Sequence, residues 1–224
     1  RSFAELMQGQ TDESGKPYLS GVTLFVSHFT GYVLAEDIDA IDIFEKQEGK
    51  QYYSFVDVFA INQNEVCAEG EIGTLKRVIE CAKTTLLVLT PWHDPGVIRR
   101  VWCLAETMWT LQLEGTGCVL RVALCTKEKQ SLLAALRSEH PEGLTAESVL
   151  ESIFQIDAAK AEATKKADAD MIFGWIEAQV EGGVTGLNMR VKEGLRASLV
   201  QAVLAEAEAV TAADRADEKL MAGV

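Results

Sequence analysis

Glu106 is the residue of this sequence that is best placed to do chemistry. It ends the run Arg99–Glu106, which reads RRVWCLAE and is predicted to lie in a helix. Before it come an uninterrupted apolar segment, Leu86–Leu89, and a turn that contains two prolines, Thr90–Pro95. A strand, a turn and then a helix deliver side chains to the carboxyl edge of a parallel sheet, where α/β domains bind ligands. A carboxylate at that edge can stabilise an oxocarbenium-like transition state, as in sugar hydrolases.

The neighbours of Glu106 on the predicted helix bear on whether its carboxylate is exposed. Five apolar residues form a narrow stripe at helical spacing: Val97, Val101, Leu104, Met108 and Leu111. Glu106 projects nearly opposite this stripe, with Trp102 and Trp109 as its neighbours one turn before and after. The ordinary interpretation is a solvated glutamate. Two tryptophans on the same face instead predict a cover by a cleft, a neighbouring element or a partner chain, and burial there would raise the pKa of the carboxyl.

Other residues that could carry chemistry receive structural interpretations. The three histidines, His28, His93 and His140, are scattered and lack metal-ligand spacing, so no metal site is predicted. Neither GxGxxG nor GxxxxGK[ST] follows a predicted strand, which disfavours a dehydrogenase-type dinucleotide site and a P-loop. Asp57, in the second predicted strand, is expected to pair with Arg99 or Arg100 in a structural role.

The elements that position these residues alternate between strands and helices. Four segments are predicted to be strands: Gly21–Ser27, Tyr52–Phe59, Thr84–Leu89 and Cys118–Leu124. Segments with apolar residues at helical spacing lie between them. This alternation predicts an α/β fold built on a flavodoxin-like, doubly wound parallel sheet. A further short strand is predicted at Ile153–Ile156, so that the sheet has four to five strands.

Three regions follow from this assignment. Residues 1–20 are predicted to be an irregular lead-in, residues 21–157 to be the α/β domain, and residues 158–224 to be a helical extension packed on the same domain. Within the extension, four apolar residues repeat every four positions: Val191, Leu195, Leu199 and Val203. A stripe of this kind must pack on something.

The composition limits the partners of the chain. A formal net charge of −13 argues against nucleic acid or an anionic membrane as the main partner. No apolar segment approaches the ~20 residues of a membrane-spanning helix, so a soluble protein without direct membrane insertion is predicted. Five cysteines without CxxC spacing favour an intracellular, reducing compartment. The chain begins at Arg1 instead of methionine, which leaves a cytoplasmic and an organellar location both open.

Four runs of the sequence together resemble a TIR (Toll/interleukin-1 receptor) domain, of the kind found in algae and other protists. They read LFVSH, FVDVF, TTLLVLTPW and WCLAE, and the last is the most specific. The resemblance covers about residues 21–126 and implies a TIR-like fold for the α/β domain. Some TIR domains hydrolyse NAD⁺ at the ribose–nicotinamide bond, with an essential glutamate in the helix after the third strand, while others only associate with further TIR domains. The motif match assigns that glutamate to Glu106.

A nucleotide pocket is predicted where the first and third strands end. Ser27 and His28 end the first predicted strand, and Trp92 follows the third. Trp92 could stack on a nicotinamide or adenine ring, and Ser27 or His28 could hydrogen-bond a ribose or phosphate. The structural alternatives are a Trp92 that caps the core and a His28 that is hydrogen-bonded within its loop.

Two functions therefore stand as hypotheses. The first is a TIR-like protein-interaction or assembly module, which includes the case of an accessory subunit of a larger complex, and its contact surface would be Trp102 and Trp109, or Leu195 and Leu199. Two features favour it: residues 27–31 replace the Gly-, Glu- and Asp-rich end of the first strand that plant-like TIR domains have, and the C-terminal extension is long and acidic. The second is an NAD⁺ glycohydrolase that requires no cofactor, takes NAD⁺ as substrate and uses Glu106 as its essential carboxylate. A receiver domain is disfavoured, because the acidic residues that it needs at the ends of strands one and three are absent.

Overall fold

Four short segments form strands of one parallel sheet: β1 (Leu24–Ser27), β2 (Ser54–Phe55), β3 (Thr84–Val88) and β4 (Val119–Ala123). The computed structural model describes residues 1–62, 71–137 and 157–197, together with residues 200 and 204. The strands lie in the order β2-β1-β3-β4, and each neighbouring pair is parallel. Since the direction of winding reverses between β1 and β3, their carboxyl ends form the switch point at which doubly wound sheets bind ligands.

Helices connect and cover these strands. They are α1 (Phe3–Met7), α2 (Leu34–Glu48), α3 (Asp57–Ala60), α4 (Glu71–Ala82), α5 (Val101–Gln112), α6 (Thr126–Arg137), α7 (Lys166–Gln179) and α8 (residues 183–197). Short 3-10 segments occur at Gly96–Arg99, Glu114–Thr116 and Ala158–Lys160. Among the helices of the described ranges, none combines the length and the apolar character that crossing a bilayer demands.

Both faces of the sheet are covered, because successive strand residues point to opposite sides. Leu24 and Val26 of β1 pack with Phe44 of α2. Phe25, which lies between them, belongs to a second cluster that includes Ile79 of α4 and residues of α5. Burial on both faces explains why Leu24–Val26 and Leu86–Val88 are apolar at successive positions. The predicted α/β fold with a flavodoxin-like sheet is confirmed; the candidate strand at residues 153–156 lies outside the described residues.

Helix α5 lies between the sheet and the C-terminal helices. Most of its residues are buried, and it contacts β1, β3 and β4 on one side. On the other side, Trp109 packs edge-on against Trp175 of α7, with ring centroids 5.5 Å apart. Leu111 lies beside Gly194 of α8, where a Cβ would approach its side chain to 2.7 Å. A helix that is apolar on nearly all sides needs this two-sided cover.

The second strand is shorter than the sequence predicts. The pattern of Tyr52–Phe59 predicts a single strand, and this prediction is wrong beyond Phe55, because the chain turns into α3 at Asp57. Val56 is still extended and leads into the turn. The turn brings Oδ1 of Asp57 to 2.8 Å from Nε2 of His28. The hydrogen bond of Asp57 to His28, the residue that follows β1, therefore accompanies a turn where the sequence predicts a continuing strand.

The first twenty residues contain a helix where the sequence predicts an irregular lead-in. Ser2 Oγ accepts from the Glu5 backbone N–H at 3.2 Å, and Oε2 of Glu5 accepts from the Ser2 N–H at 3.0 Å. This is a capping box, and its S-x-x-E spacing is visible in the sequence. Phe3 of α1 then packs on Phe59 of α3, with ring centroids 5.7 Å apart.

Candidate active site

A contact between a hydroxyl and a carboxylate lies at the switch point of the sheet. Ser27 is the last residue of β1, and its Oγ donates to Oε2 of Glu106 on α5 at 2.5 Å. Ser27 is buried, whereas Glu106 is largely buried but keeps part of its surface accessible to solvent. The two residues are 79 positions apart, so the packing of α5 against β1 creates the contact. Glu106 therefore reaches the carboxyl edge of the sheet.

His28 lies next to this contact and is held by two carboxylates. Its Nδ1 is 3.0 Å from Oδ2 of Asp37, and its Nε2 is 2.8 Å from Oδ1 of Asp57. Burial disfavours the charged ring, but the hydrogen bonds to Asp37 and Asp57 outweigh it and raise the pKa of His28 to about 10. The ring is therefore an imidazolium at neutral pH and has no free nitrogen with which to accept a proton.

The carboxyl group of Glu106 holds its proton unusually tightly. Burial raises the pKa of Glu106 to about 8, although the hydrogen bond from Ser27 lowers it. The charge of Asp57 raises this pKa further, and those of His28 and Arg100 lower it. A carboxyl with a pKa near 8 changes its charge close to physiological pH, which is a property of groups that take part in acid–base or electrostatic catalysis.

Cys103 lies in the same cluster but is not a candidate nucleophile. Its Sγ donates to the backbone oxygen of His28 at 3.4 Å. Burial, and next the charge of Glu106, raise the pKa of the Cys103 thiol well above its ordinary value. The thiolate is the reactive form of cysteine, so this side chain serves the packing of α5 against the end of β1.

The structure brings Ser27 and His28 together with Glu106, but it gives Trp92 a different environment. Trp92 is buried, and its indole N–H donates to Oγ of Ser131 at 3.1 Å. Its backbone N–H donates to Oε2 of Glu128 at 2.9 Å. Both partners lie on α6, so Trp92 caps the core beneath this helix, as the structural alternative describes.

Of the residues predicted as an interaction surface, Trp109 and Leu195 are buried by the chain itself and Trp102 is partly buried. The indole N–H of Trp102 donates to Asp168 of α7 at 3.3 Å, and Trp109 is buried against Trp175. Leu195 of α8 is buried as well, while Leu199 lies outside the described residues. The sequence predicts a cover by a cleft, a neighbouring element or a partner chain. In the structure, a neighbouring element, α7, contacts both tryptophans.

Two members of the cluster were not predicted as site residues. Asp57 was expected to pair with Arg99 or Arg100, but it hydrogen-bonds to His28 while Arg99 pairs with Asp94. Its position after the strand next to β1 was a usable signal, because neighbouring parallel strands end at the same edge. Asp37 gave no such signal. An acidic residue in the first turn of a helix is ordinary, and only the structure reveals that Asp37 is buried.

The two raised pKa values predict that the protein loses stability as the pH rises. A group with a higher pKa in the folded state binds its proton more tightly there, so a low pH favours folding. The contribution of Glu106 is complete below its ordinary pKa of 4.5 and is lost as the pH rises through about 8. The contribution of His28 is complete below 6.5 and is lost as the pH rises through about 10. We expect the urea midpoint of unfolding to fall across these intervals.

The variant Glu106→Gln separates the two contributions. Glutamine does not titrate, so this variant should lose the decrease in urea midpoint that comes from Glu106. It should keep the decrease that comes from His28 at higher pH. A wild-type midpoint that stays level from the ordinary pKa of Glu106 to the raised pKa of His28 would contradict both assignments.

Within the described residues, no group of three or more His, Cys, Asp or Glu side chains could hold a metal ion. Comparisons with protein-family models, with curated proteins and with solved structures found no match for this chain. The resemblance to TIR domains therefore stays a prediction that rests on the four sequence runs. The chemistry of the site has to be argued from its own geometry.

Proposed function

We propose that this chain is a TIR-like hydrolase that cleaves the ribose–nicotinamide bond of NAD⁺, with Glu106 as its essential carboxylate. The observation that carries the proposal is the contact between Ser27 and Glu106 at the carboxyl ends of β1 and β3. Ligands of doubly wound sheets bind at this place. A largely buried carboxyl with a raised pKa has few structural explanations there, because burial of an ionisable group is costly unless it is paired or used.

The proposed reaction needs a carboxylate and no strong acid. When the bond between C1′ and the pyridinium nitrogen breaks, its electron pair goes to that nitrogen, and nicotinamide leaves as a neutral molecule. The ribose develops oxocarbenium character, which the ionised Glu106 stabilises. Water then forms a bond to C1′ and gives its proton to the Glu106 carboxylate, which returns it to solvent. The products are ADP-ribose, nicotinamide and one proton.

Ser27 and His28 support this carboxylate without touching the reacting atoms. Ser27 is a positioning residue, because its hydroxyl holds Oε2 of Glu106 and leaves Oε1 for the ribose. His28 cannot act as the base, since both of its ring nitrogens face carboxylates. Its positive charge favours the ionised form of Glu106. The same charge partly neutralises the carboxylates of Asp37 and Asp57.

The pH–rate profile tests the assignment of Glu106. The proposal requires the ionised form, so kcat/KM for NAD⁺ should rise with pH to a plateau, with its midpoint near the raised pKa of about 8. The measurement is nicotinamide release, followed chromatographically across the pH range. An activity that falls as the pH rises through this value would mean that the protonated carboxyl is the working form, and it would contradict the proposed role.

An interaction module remains the second candidate, on a surface other than the predicted one. Three apolar residues are exposed at the start of α2, namely Val33, Leu34 and Ile38. Leu34 and Ile38 lie one helical turn apart. Exposed apolar residues grouped in this way are typical of contact surfaces. Self-association through α2 would appear as a mass that increases with protein concentration in light scattering.

A further inference from the structure

Within the described residues, Arg100 forms no ion pair with a carboxylate. The residue is partly exposed, and its guanidinium lies over the ring of Phe29, 5.3 Å from the centroid. Its neighbour Arg99, by contrast, donates to both carboxylate oxygens of Asp94, at 2.9 and 2.8 Å. The chain has 34 acidic and 21 basic residues, so a guanidinium without a carboxylate partner is notable here. A cation over an aromatic face keeps the N–H groups at its edge available for another acceptor.

The backbone beneath Arg100 is fixed. The Val101 N–H donates to the oxygen of Glu162 at 3.1 Å, and the Glu162 N–H donates to the oxygen of Arg99 at 2.8 Å. These two bonds form a bridge around Arg100 at the start of α5. These bonds hold the backbone of Arg100 in place at the start of α5, the helix that carries Glu106.

The aromatic platform is equally restrained. The ring of Phe29 fills the space above Gly96, where a Cβ would approach it to 2.6 Å. Tyr32 meets the same ring edge-on, with centroids 5.2 Å apart. The hydroxyl of Tyr32 accepts from the backbone N–H groups of Thr90 and Val97, at 3.3 and 3.2 Å. The loop after β1 is thereby fastened to the loop after β3, with Arg100 at their junction.

We propose that Arg100, seated on Phe29, is a subsite for the 5′-phosphate of the nucleotide whose ribose lies against Glu106. The inference rests on the proposed function and narrows its substrate class to phosphorylated pyridine ribonucleosides. A guanidinium presents N–H donors in a planar fork that matches the oxygens of a phosphate. The 5′-phosphate is attached to the same ribose whose C1′ reacts, so its site must lie near the carboxylate. Phe29, over which Arg100 lies, follows two residues after Ser27, and the Ser27 hydroxyl contacts Glu106, which supports this proximity.

The competing role for Arg100 is to favour the ionised form of Glu106 and nothing more. That role would affect every substrate alike and would shift the pH–rate profile. A phosphate subsite would affect only substrates that carry the phosphate, and chiefly their KM. Nicotinamide mononucleotide and nicotinamide riboside differ in this one group, which makes them the discriminating pair.

The experiment compares Arg100→Gln with Arg99→Gln, the same substitution one residue earlier, on both substrates. We expect Arg100→Gln to raise KM for nicotinamide mononucleotide by about 10- to 100-fold, as for loss of a hydrogen bond to a charged group. On the high-pH plateau, where Glu106 is ionised with or without the charge of Arg100, its KM for nicotinamide riboside and its kcat should stay near wild type. Arg99→Gln should change neither substrate. An equal loss on both substrates in Arg100→Gln, or equal effects of the two variants, overturns the subsite.

A binding measurement keeps this test independent of turnover. Ribose 5-phosphate is titrated into wild type and both variants by calorimetry, and unfolding temperatures confirm that the variants are folded. If wild type releases no nicotinamide from either substrate but binds ribose 5-phosphate through Arg100, the proposed function fails and the subsite stands. Binding that Arg100→Gln leaves unchanged, or that wild type lacks, overturns the subsite. Arg100→Lys should restore part of the affinity, because it keeps the charge without the fork.

Discussion

Replacing Glu106 by glutamine should reduce nicotinamide release about 10²–10³-fold, the loss that follows removal of one preorganised group at a transition state. Glutamine has nearly the same shape, and its side-chain oxygen can still accept from the Ser27 hydroxyl. It cannot carry the negative charge that the oxocarbenium-like transition state requires. The measurement is the initial rate of nicotinamide release above pH 8, where the pKa of about 8 leaves Glu106 mostly ionised.

Folding of this variant should be intact, and this separates chemistry from stability. The raised pKa means that an ionised Glu106 destabilises the folded state, so an uncharged side chain should keep or increase the unfolding midpoint at the assay pH. The matched control is Glu114→Gln, because Glu114 is exposed just beyond the end of α5. If the two variants retain the same activity, Glu106 is not the essential carboxylate.

Replacing Trp109 by alanine should destabilise the protein by about 3–5 kcal/mol, the usual cost of emptying a large buried aromatic site. Trp109 of α5 is fully buried, and its ring packs against Trp175 of α7. The cavity would therefore open at the contact that joins the C-terminal helices to the α/β sheet. Urea unfolding measured by circular dichroism gives the free energy directly.

Two further variants make this prediction specific. Trp109→Phe should cost clearly less, because it keeps most of the ring and removes an indole N–H that has no hydrogen-bond partner within the described residues. An unsatisfied buried donor costs about 1–3 kcal/mol. Trp102→Ala is the control on the same helix, since Trp102 is partly exposed. A loss in Trp109→Ala no larger than in Trp102→Ala would contradict the packing described for α5.

The sheet could be predicted because its strands obey strong local and topological rules. Leu24–Val26 and Leu86–Val88 are apolar at successive positions, as strands covered on both faces must be. Right-handed crossovers and short connections then leave few possible strand orders. The place of Ser27 and Glu106 at one sheet edge followed from that order, although their hydrogen bond joins distant parts of the chain.

The contacts that escaped prediction depend on side-chain direction and on distant partners. The alternation around Asp57 resembles a strand, but the chain turns there and its carboxylate binds His28. Likewise, a helical wheel places Glu106 between Trp102 and Trp109 without saying what each one meets. In the structure, Glu106 hydrogen-bonds to the end of β1, while both tryptophans contact α7. Helix α5 is covered on both sides, and sequence periodicity assumes a single buried face.

The most direct test of the central claim is a time course of nicotinamide and ADP-ribose formation from NAD⁺ by the intact wild-type protein. It should be run at low and at high protein concentration, so that a site completed by self-association is also detected. The account predicts that both products form in equal amounts and that Glu106→Gln forms them about 10²–10³-fold more slowly. An intact, folded wild-type protein that releases no nicotinamide at either concentration would contradict it.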